Sequence, residues 1–571
     1  MIRLINETWL FGLLLMLMAP GLVSAQEKPR QVEEVTIVGD FAPSVTEANK
    51  INKNPVLSDT VIEMPQFQYS IISSPWYISF PVTEIAPSRY KTEAEKRYQR
   101  NYARLGFGNY TTPYVEFFAG KTQSKSSAFG LHFRHLSSQG DGEDVFKNGF
   151  SMTDFDAFGK IFTRSYAIGL EGAYNRHSIH YYGFDTVGRA PLTLPSLDSL
   201  HQVYNRFHAA VDFKSLNQRK GSLNHAFGTA FSLITDQFET NELCLDVHLD
   251  ADLDVALFKG SRKQKLGVQT GFLYYNNQWA IVNSANSSLF RIAPFYNVEF
   301  DEYSLKLGAL VEMASDSASQ WNIYPDARAG ITVIKDVLQV YAGVRGEHYK
   351  NSFNKITATN PFVMRELTLA FSNRSFELYG GFKSSFSRFV DFSGTFSSSK
   401  VENMALFYHP IDPTGVQNLM SVAYDDVTLM RVSGEFSFQK KESVRLIFGG
   451  AYQSARPTFQ SKAWYVPEME GWLFGELNLT PALKLKATAK AFSKMYARVD
   501  SISVSLSGSQ LVEQIREIDP YVDLSVGAEY RFSNRFSAFL DFNNLLASRY
   551  EYWYGYKQYG LNFLGGVTFG F

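Results

Sequence analysis

From Leu243 to Leu257 the odd-numbered positions are Leu243, Leu245, Val247, Leu249, Ala251, Leu253, Val255 and Leu257, with Asp246, His248, Asp250, Asp252 and Asp254 standing between them. Successive side chains of a strand point to opposite faces, so this stretch predicts a strand with one apolar and one acidic face. A helix would mix the two sets around its circumference. The same period of two runs through Tyr303–Met313 and through Val522–Phe532. It also runs from Leu483 to Val499, where leucines and alanines alternate with Lys484, Lys486, Lys490, Lys494 and Arg498.

Length decides what kind of strand this is. Strands of soluble proteins average about five or six residues, whereas a tilted membrane-crossing strand needs about 9–11. At about 3.3 Å per residue the Leu243–Leu257 stretch reaches on the order of 45 Å, enough to cross a bilayer and protrude. Unpaired backbone groups in hydrocarbon cost several kcal/mol each, so such a sheet must close on itself. The expected fold is an all-β, antiparallel transmembrane barrel of about 20–22 strands, an even number, with its apolar faces toward lipid and its charged faces toward a wet lumen. Aromatic groups such as Tyr110 and Tyr114, Tyr181-Tyr182, Tyr274-Tyr275, Trp464-Tyr465 and the run Tyr550 to Tyr556 are expected at the two membrane interfaces.

The first residues set the compartment. Arg3, the apolar run Leu10–Met18 and Val23-Ser24-Ala25 before Gln26 form a cleavable secretory signal, so residues 1–25 are read as a signal peptide. Residues 26–100 then form an extended periplasmic or lumenal segment, and residues 101–571 the barrel. Composition excludes several other classes. The 55 basic and 56 acidic side chains leave a net charge of −1, against the basic excess of a nucleic-acid binder, and the single Cys244 rules out a disulfide framework.

Candidate chemistry is sparse. Asp246, His248, Asp250, Asp252 and Asp254 are expected to line the lumen, as are Lys484, Lys486, Lys490, Lys494 and Arg498. The acidic row lacks the compact loop of a calcium site, and the two rows could bias solute charge or pair across a shared lumen. His132 and His135 near Ser137-Ser138, and His177 near Ser178 and His180, are the only nucleophile–base groupings, with no orienting carboxylate at an informative spacing. No nucleotide-binding glycine motif or metal-ligand set occurs, so no cofactor is expected and the chain is not read as an enzyme. Asn360-Pro361-Phe362 marks a loop.

The end of the chain carries a resemblance. Phe539-Leu540-Asp541-Phe542-Asn543-Asn544-Leu545-Leu546, Arg549-Tyr550-Glu551 and the closing Gly565-Gly566-Val567-Thr568-Phe569-Gly570-Phe571 resemble the last two strands of TonB-dependent outer-membrane receptors, whose barrels have 22 strands. Val567, Phe569 and Phe571 resemble the terminal signature read by the barrel-assembly machinery. Near the other end Glu33, Glu34, Val35, Thr36, Ile37, Val38 and Gly39, preceded by Val32, are similar to the TonB box, which adds as a strand to the energy-transducing partner. The chain departs from that family in one place. Only the Pro-interrupted stretch Asp40–Arg100 stands where the family carries a globular plug of well over a hundred residues.

The resemblance implies an outer-membrane barrel of a Gram-negative bacterium that serves solute uptake or passage. The contrasting expectation is an occluded barrel acting as a scaffold for lipoproteins or for an assembly or secretion complex. Its partners would be outer-membrane lipid, the barrel-assembly machinery and either TonB or a surface or periplasmic lipoprotein, with no nucleic acid.

Overall fold

The computed structural model describes residues 101–571, apart from 123, 141–146, 184–199, 217–220, 280–283, 317, 412–418, 441–442, 506–507 and the side chains of 502–511. The signal peptide, the Glu33–Gly39 stretch and the rest of residues 26–100 lie outside the described residues.

Among these residues 22 strands form one antiparallel sheet that closes on itself. In chain order they are β1 (Tyr102–Gly108), β2 (Thr112–Lys121), β3 (Ser127–Ser138), β4 (Phe150–Phe162), β5 (Tyr166–His180), β6 (His201–Ser215), β7 (Leu223–Asp236), β8 (Asn241–Asp254), β9 (Lys263–Gln278), β10 (Ala285–Glu299) and β11 (Tyr303–Ser315). The far half holds β12 (Ser319–Ile334), β13 (Leu338–Lys350), β14 (Phe371–Ser387), β15 (Val390–Tyr408), β16 (Ser421–Lys440), β17 (Val444–Pro457), β18 (Met469–Asn478) and β19 (Leu483–Phe492). Two hairpins, β20 (Met495–Ser505) with β21 (Gly508–Ile518) and β24 (Glu551–Trp553) with β25 (Tyr556–Lys557), stand outside the ring. β22 (Tyr521–Arg531), β23 (Phe536–Asn543) and β26 (Asn562–Gly570) complete it, β22 pairing directly with β19.

Alternation does what the pattern demands. Leu249 and Leu253 of β8, Leu305 and Leu307 of β11, Leu473 and Leu477 of β18, and Phe563, Val567 and Phe569 of β26 are all exposed on the outside of the sheet. Large apolar side chains left open to the surroundings all round a closed barrel make sense only in lipid. Among the described residues no helix is long and apolar enough to cross a membrane.

Closure occurs where β1 meets β26, from Tyr102 opposite Gly570 to Gly108 opposite Leu564. The backbones are tightly apposed there, since a Cβ on Gly566 would come within 2.0 Å of the Leu105 carbonyl oxygen. The seam strands are also the shortest of the ring, 7 residues in β1, 8 in β23 and 9 in β26, against 19 and 20 in β15 and β16. One side of the barrel is therefore low and the other tall.

Connections differ by end. On the end that holds the start of β1 and the finish of β26 they are turns, such as 163–165, 300–302 and 388–389. The opposite end carries the long ones, including 351–370, 493–520 and 544–561. Membrane barrels place short turns in the periplasm and long loops outside the cell, which orients the long-loop end outward.

Three expectations change. The Leu483–Val499 stretch is not one strand: it breaks at Ser493-Lys494, and its second half becomes β20 of an outer hairpin. The Leu243–Leu257 strand ends at Asp254. Several aromatic groups expected at the membrane interfaces are instead buried together among the outer loops, where Tyr181, Trp464, Trp553 and Tyr556 are almost wholly enclosed.

Candidate functional site: the lumen and its outer mouth

The wall of the lumen is built by the inward parity of each strand. Asp246, His248, Asp250, Asp252 and Asp254 share the inward face of β8, and Lys484, Lys486 and Lys490 that of β19, because Leu473 and Leu477 lie opposite Ala489 and Leu485 on the outside. Lys494 and Arg498 do not line the lumen, which corrects the sequence expectation. Lys494 sits between β19 and β20, 3.6 Å from Glu517, and Arg498 on β20 binds Asp500 at 2.7 Å in the outer cap. The break at Ser493-Lys494 moved them, and its one trace in the sequence is Phe492-Ser493, where an apolar and a polar side chain stand on the wrong parity.

In a 22-strand ring β8 and β19 are eleven strands apart either way, so the acidic and basic rows face each other across the full diameter. Strands spaced about 4.8 Å and tilted by about 40° put those walls on the order of 45 Å apart. That is several times the screening length of about 8 Å in physiological salt, so the rows do not pair across the lumen. Each carries an ion pair along its own wall instead. Lys265 Nζ is 2.5 Å from Asp252, to which Asn224 also donates, while Lys484 Nζ is 3.0 Å from Glu476.

At the seam the inward groups form a buried network. Arg104 lies 3.1 Å from Asp541 with its guanidinium 3.6 Å from the Phe539 ring centre. Next to it Glu116 accepts from the Tyr102 and Tyr114 hydroxyls at 3.0 and 2.7 Å, and His132 sits between Glu116 and Asp156 at 3.2 and 3.4 Å. Two carboxylates thus flank His132, which the sequence spacing did not reveal because they come from β2 and β4. His135, by contrast, points to the outer face, where it meets Thr153 at 2.8 Å and Ser137 at 3.2 Å. The hydroxyl and the carboxylate-flanked imidazole are on opposite faces of the sheet. Ser178 meets His201 at 2.8 Å. No nucleophile–base–acid arrangement results from either grouping.

The outer mouth is where the fold departs most from an open pore. Three loops rooted eight, eight and six strands apart around the ring, those after β5, β13 and β23, meet at one aromatic knot. Phe362 stacks on Tyr556 with ring centres 3.7 Å apart, and Tyr182 packs edge-on against both, at 5.8 and 5.0 Å. Loops spaced about a third of the circumference apart can touch only above the barrel axis, so the knot lies over the lumen. Gly183 makes room for it, since a Cβ there would come within 2.6 Å of the Tyr556 ring.

Around the knot the loops share one core. It draws Ile179 and Leu200 from the β5–β6 end, Phe353, Ile356, Val363 and Leu367 from the loop after β13, and Leu406 and Met420 from the ends of β15 and β16. Trp464 and Tyr465 come from the loop after β17, Met495, Ala497 and Ile518 from the β20–β21 hairpin, and Trp553 from β24. Trp553 packs between Phe407 and Tyr465, and His409 joins the β20 backbone through the Arg498 carbonyl at 2.9 Å and reaches the Tyr465 hydroxyl at 2.7 Å. Burial pushes the phenols of Tyr465 and Tyr556 well above the ordinary range, so both stay protonated.

The loop after β13 is a strap across this mouth. Its neck is closed by Asn351, whose backbone N–H and side-chain amide both donate to the Ala370 carbonyl. Ser352 caps a two-turn helix, α1 (Phe353–Thr359), by accepting from the Lys355 N–H at 3.2 Å. Asn360-Pro361-Phe362, legible in the sequence only as a loop, carries the knot residue. Five strap side chains, Phe353, Ile356, Phe362, Val363 and Leu367, are buried, a gross gain on the order of 10 kcal/mol before the entropy of ordering the loop is subtracted.

No protein-family model and no curated protein sequence matches the chain. Solved structures do match in fold. The siderophore receptor PirA from Acinetobacter baumannii superposes with a TM-score of 0.60 at 11% identity, covering 82% of this chain and 80% of that one. The FrpB iron transporter from Neisseria meningitidis (F5-1 variant) gives 0.60 at 9% identity, with 82% of each chain covered. The ferric-catecholate import receptor Fiu from Escherichia coli K12 gives 0.59 at 11%, covering 83% and 82%. With 22 strands closed at a β1–β26 seam, a lipid-facing apolar exterior and a charged interior, the chain is a barrel of the TonB-dependent receptor fold.

Proposed function

We propose that this chain is an outer-membrane barrel of TonB-dependent-receptor type that passes a solute across the outer membrane, with its outer mouth shut at rest by its own loops. The observation that carries the reading is the closed receptor-type ring around a charged, locally ion-paired lumen wall. The neighbours are named as siderophore and iron receptors, which makes a ferric chelate the first cargo to assay. Glu33–Gly39 is the segment that would couple the barrel to TonB by strand addition. The Asp40–Arg100 stretch is shorter than a globular plug, so an outer closure gives the membrane its barrier. Val567, Phe569 and Phe571, exposed on the lipid side of the seam, would be the residues that the assembly machinery reads.

One observation favours the second reading, a scaffold. The mouth is closed by a folded, multi-loop core, as an occluded barrel that docks lipoproteins would require. Planar-bilayer conductance separates the two. The full chain and a variant with residues 353–369 replaced by a short Gly-Ser link are compared. A passage barrel stays closed in the first and conducts in the second; a barrel filled along its length conducts in neither. Coupling has its own test, since uptake that survives deletion of residues 33–39 excludes TonB drive through that segment.

A further inference from the structure

We infer that the loop after β13 is the moving part of the outer mouth, held shut by a two-charge latch of Glu242 and Arg206, while the other loops are fixed posts. The consequence for passage rests on the reading above; the movement itself does not.

Three observations carry this. The first is the landing site. The strap is rooted between β13 and β14 but lands on β6 and β8, about a quarter to a third of the ring away. Glu242 of β8 accepts from the backbone N–H groups of Phe353 and Asn354 at 2.7 and 3.0 Å, and is itself held by Asn277 at 2.7 Å. Arg206 of β6 donates to Asn354 Oδ1 and to Thr357 Oγ1, both at 2.9 Å. Arg365 lies 3.3 Å over the Phe238 ring in the β7–β8 turn. Two further hydroxyls hold the strap backbone, Tyr204 to the Pro361 carbonyl at 2.9 Å and Tyr181 to that of Val363 at 3.3 Å.

The second is the kind of attachment. Among the described residues the strap joins its neighbours through side chains and a single bridge between Val363 and Met420. The loop after β19 is a two-stranded hairpin stiffened by its own β20–β21 ladder, and it is joined to its neighbours by a bridge between His409 and Val499 and by the Tyr465 N–H, which donates to the Tyr496 carbonyl at 2.9 Å. A loop closed at its neck and fixed beyond it mainly by side chains can leave as a unit, because releasing it breaks no ladder.

The third is what else covers that side. From β7 to β12 the outer connections are only 237–240, 279–284 and 316–318. None of these is long enough to span the mouth, so a released strap uncovers the lumen along that whole arc. Glu242 is buried and divides its oxygens between the strap amides and Asn277, while Arg206 donates to two strap side chains, so losing the strap contacts leaves both charges short of hydrogen-bond partners.

The test uses the full chain in detergent and two variants, Glu242→Gln, which removes the latch charge, and N354A/T357A, which removes the acceptors of Arg206 from the strap side. Hydrogen–deuterium exchange is followed at residues 353–364, with residues 495–500 and 549–557 as the fixed posts, and the heat-shifted gel band confirms a folded barrel. The inference expects exchange in the strap to quicken about ten-fold or more in both variants while the posts keep wild-type protection. Unchanged strap exchange in folded variants overturns it, as does equal acceleration of strap and posts. Conductance of the same variants is read separately. A freed strap with conducting steps supports both ideas, whereas a freed strap without conductance upholds the latch and rejects passage.

Discussion

At the scale of single residues, the tightest points of the molecule are an aromatic knot above the lumen and a charge pair at the seam. Tyr556 is fully enclosed between Phe362 and Tyr182, so Tyr556→Ala leaves a ring-sized void. A local cost of about 3–5 kcal/mol is expected, read as faster amide exchange in the β5–β6 and β13–β14 loops with the barrel itself unaffected. Gly183→Leu should have the same signature, because its side chain would take the space of the Tyr556 ring. Arg104→Ala acts elsewhere. Asp541 is buried against Arg104, and removing one partner of a buried pair costs about 3–5 kcal/mol. The expected outcome is a lower unfolding midpoint in a denaturant titration, with the cap loops as protected as before.

At the scale of elements, the β20–β21 hairpin is an insertion above the membrane and not part of the ring. β19 pairs with β22 from Leu483 opposite Tyr530 to Phe492 opposite Tyr521, so the ladder is complete without it. Replacing residues 494–519 by a short turn should leave the heat-modifiable barrel intact while stripping Met495, Ala497 and Ile518 from the cap core. Limited proteolysis would then cut the β15–β16 and β17–β18 loops, which those side chains cover in the intact chain. If the barrel failed to fold, the hairpin would have to be counted among the elements that close the ring.

At the scale of the whole molecule, the claim that decides everything is the direction each strand face points. Leu249 and Asp250 are neighbours on β8 with opposite exposure. Leu249→Arg places a charge in hydrocarbon and is expected to cost about 2–4 kcal/mol of folding into a bilayer, whereas Asp250→Arg changes a lumen wall and should cost far less. Folding titrations into lipid vesicles compare the two, and equal penalties would overturn the assignment of inside and outside. The lopsided wall belongs to this scale too. β1 spans only 7 residues, below the roughly 9–11 that a bilayer asks of a tilted strand, so the seam side favours a locally thinner membrane.

The amino-acid sequence by itself determined the class of fold, the closure and the facing of each strand. Period-two alternation is local, and hydrocarbon on one side forces both the apolar exterior and the absence of an open edge. It therefore assigns Asp246 to Asp254 to one face of β8 and Lys484 to Lys490 to one face of β19. What it did not determine is anything that depends on which distant segments meet. Tyr182, Phe362 and Tyr556 are far apart in the chain and have the composition of interfacial aromatics, so only the ring geometry shows them joined over the axis. The same holds for Glu242 and Arg206, whose place under the strap no local pattern marks. Alternation lapses only at Phe492-Ser493 and resumes in the same parity at Met495, so the sequence pattern does not show that Lys494 and Arg498 leave the ring; tertiary packing folds that segment outward into the cap.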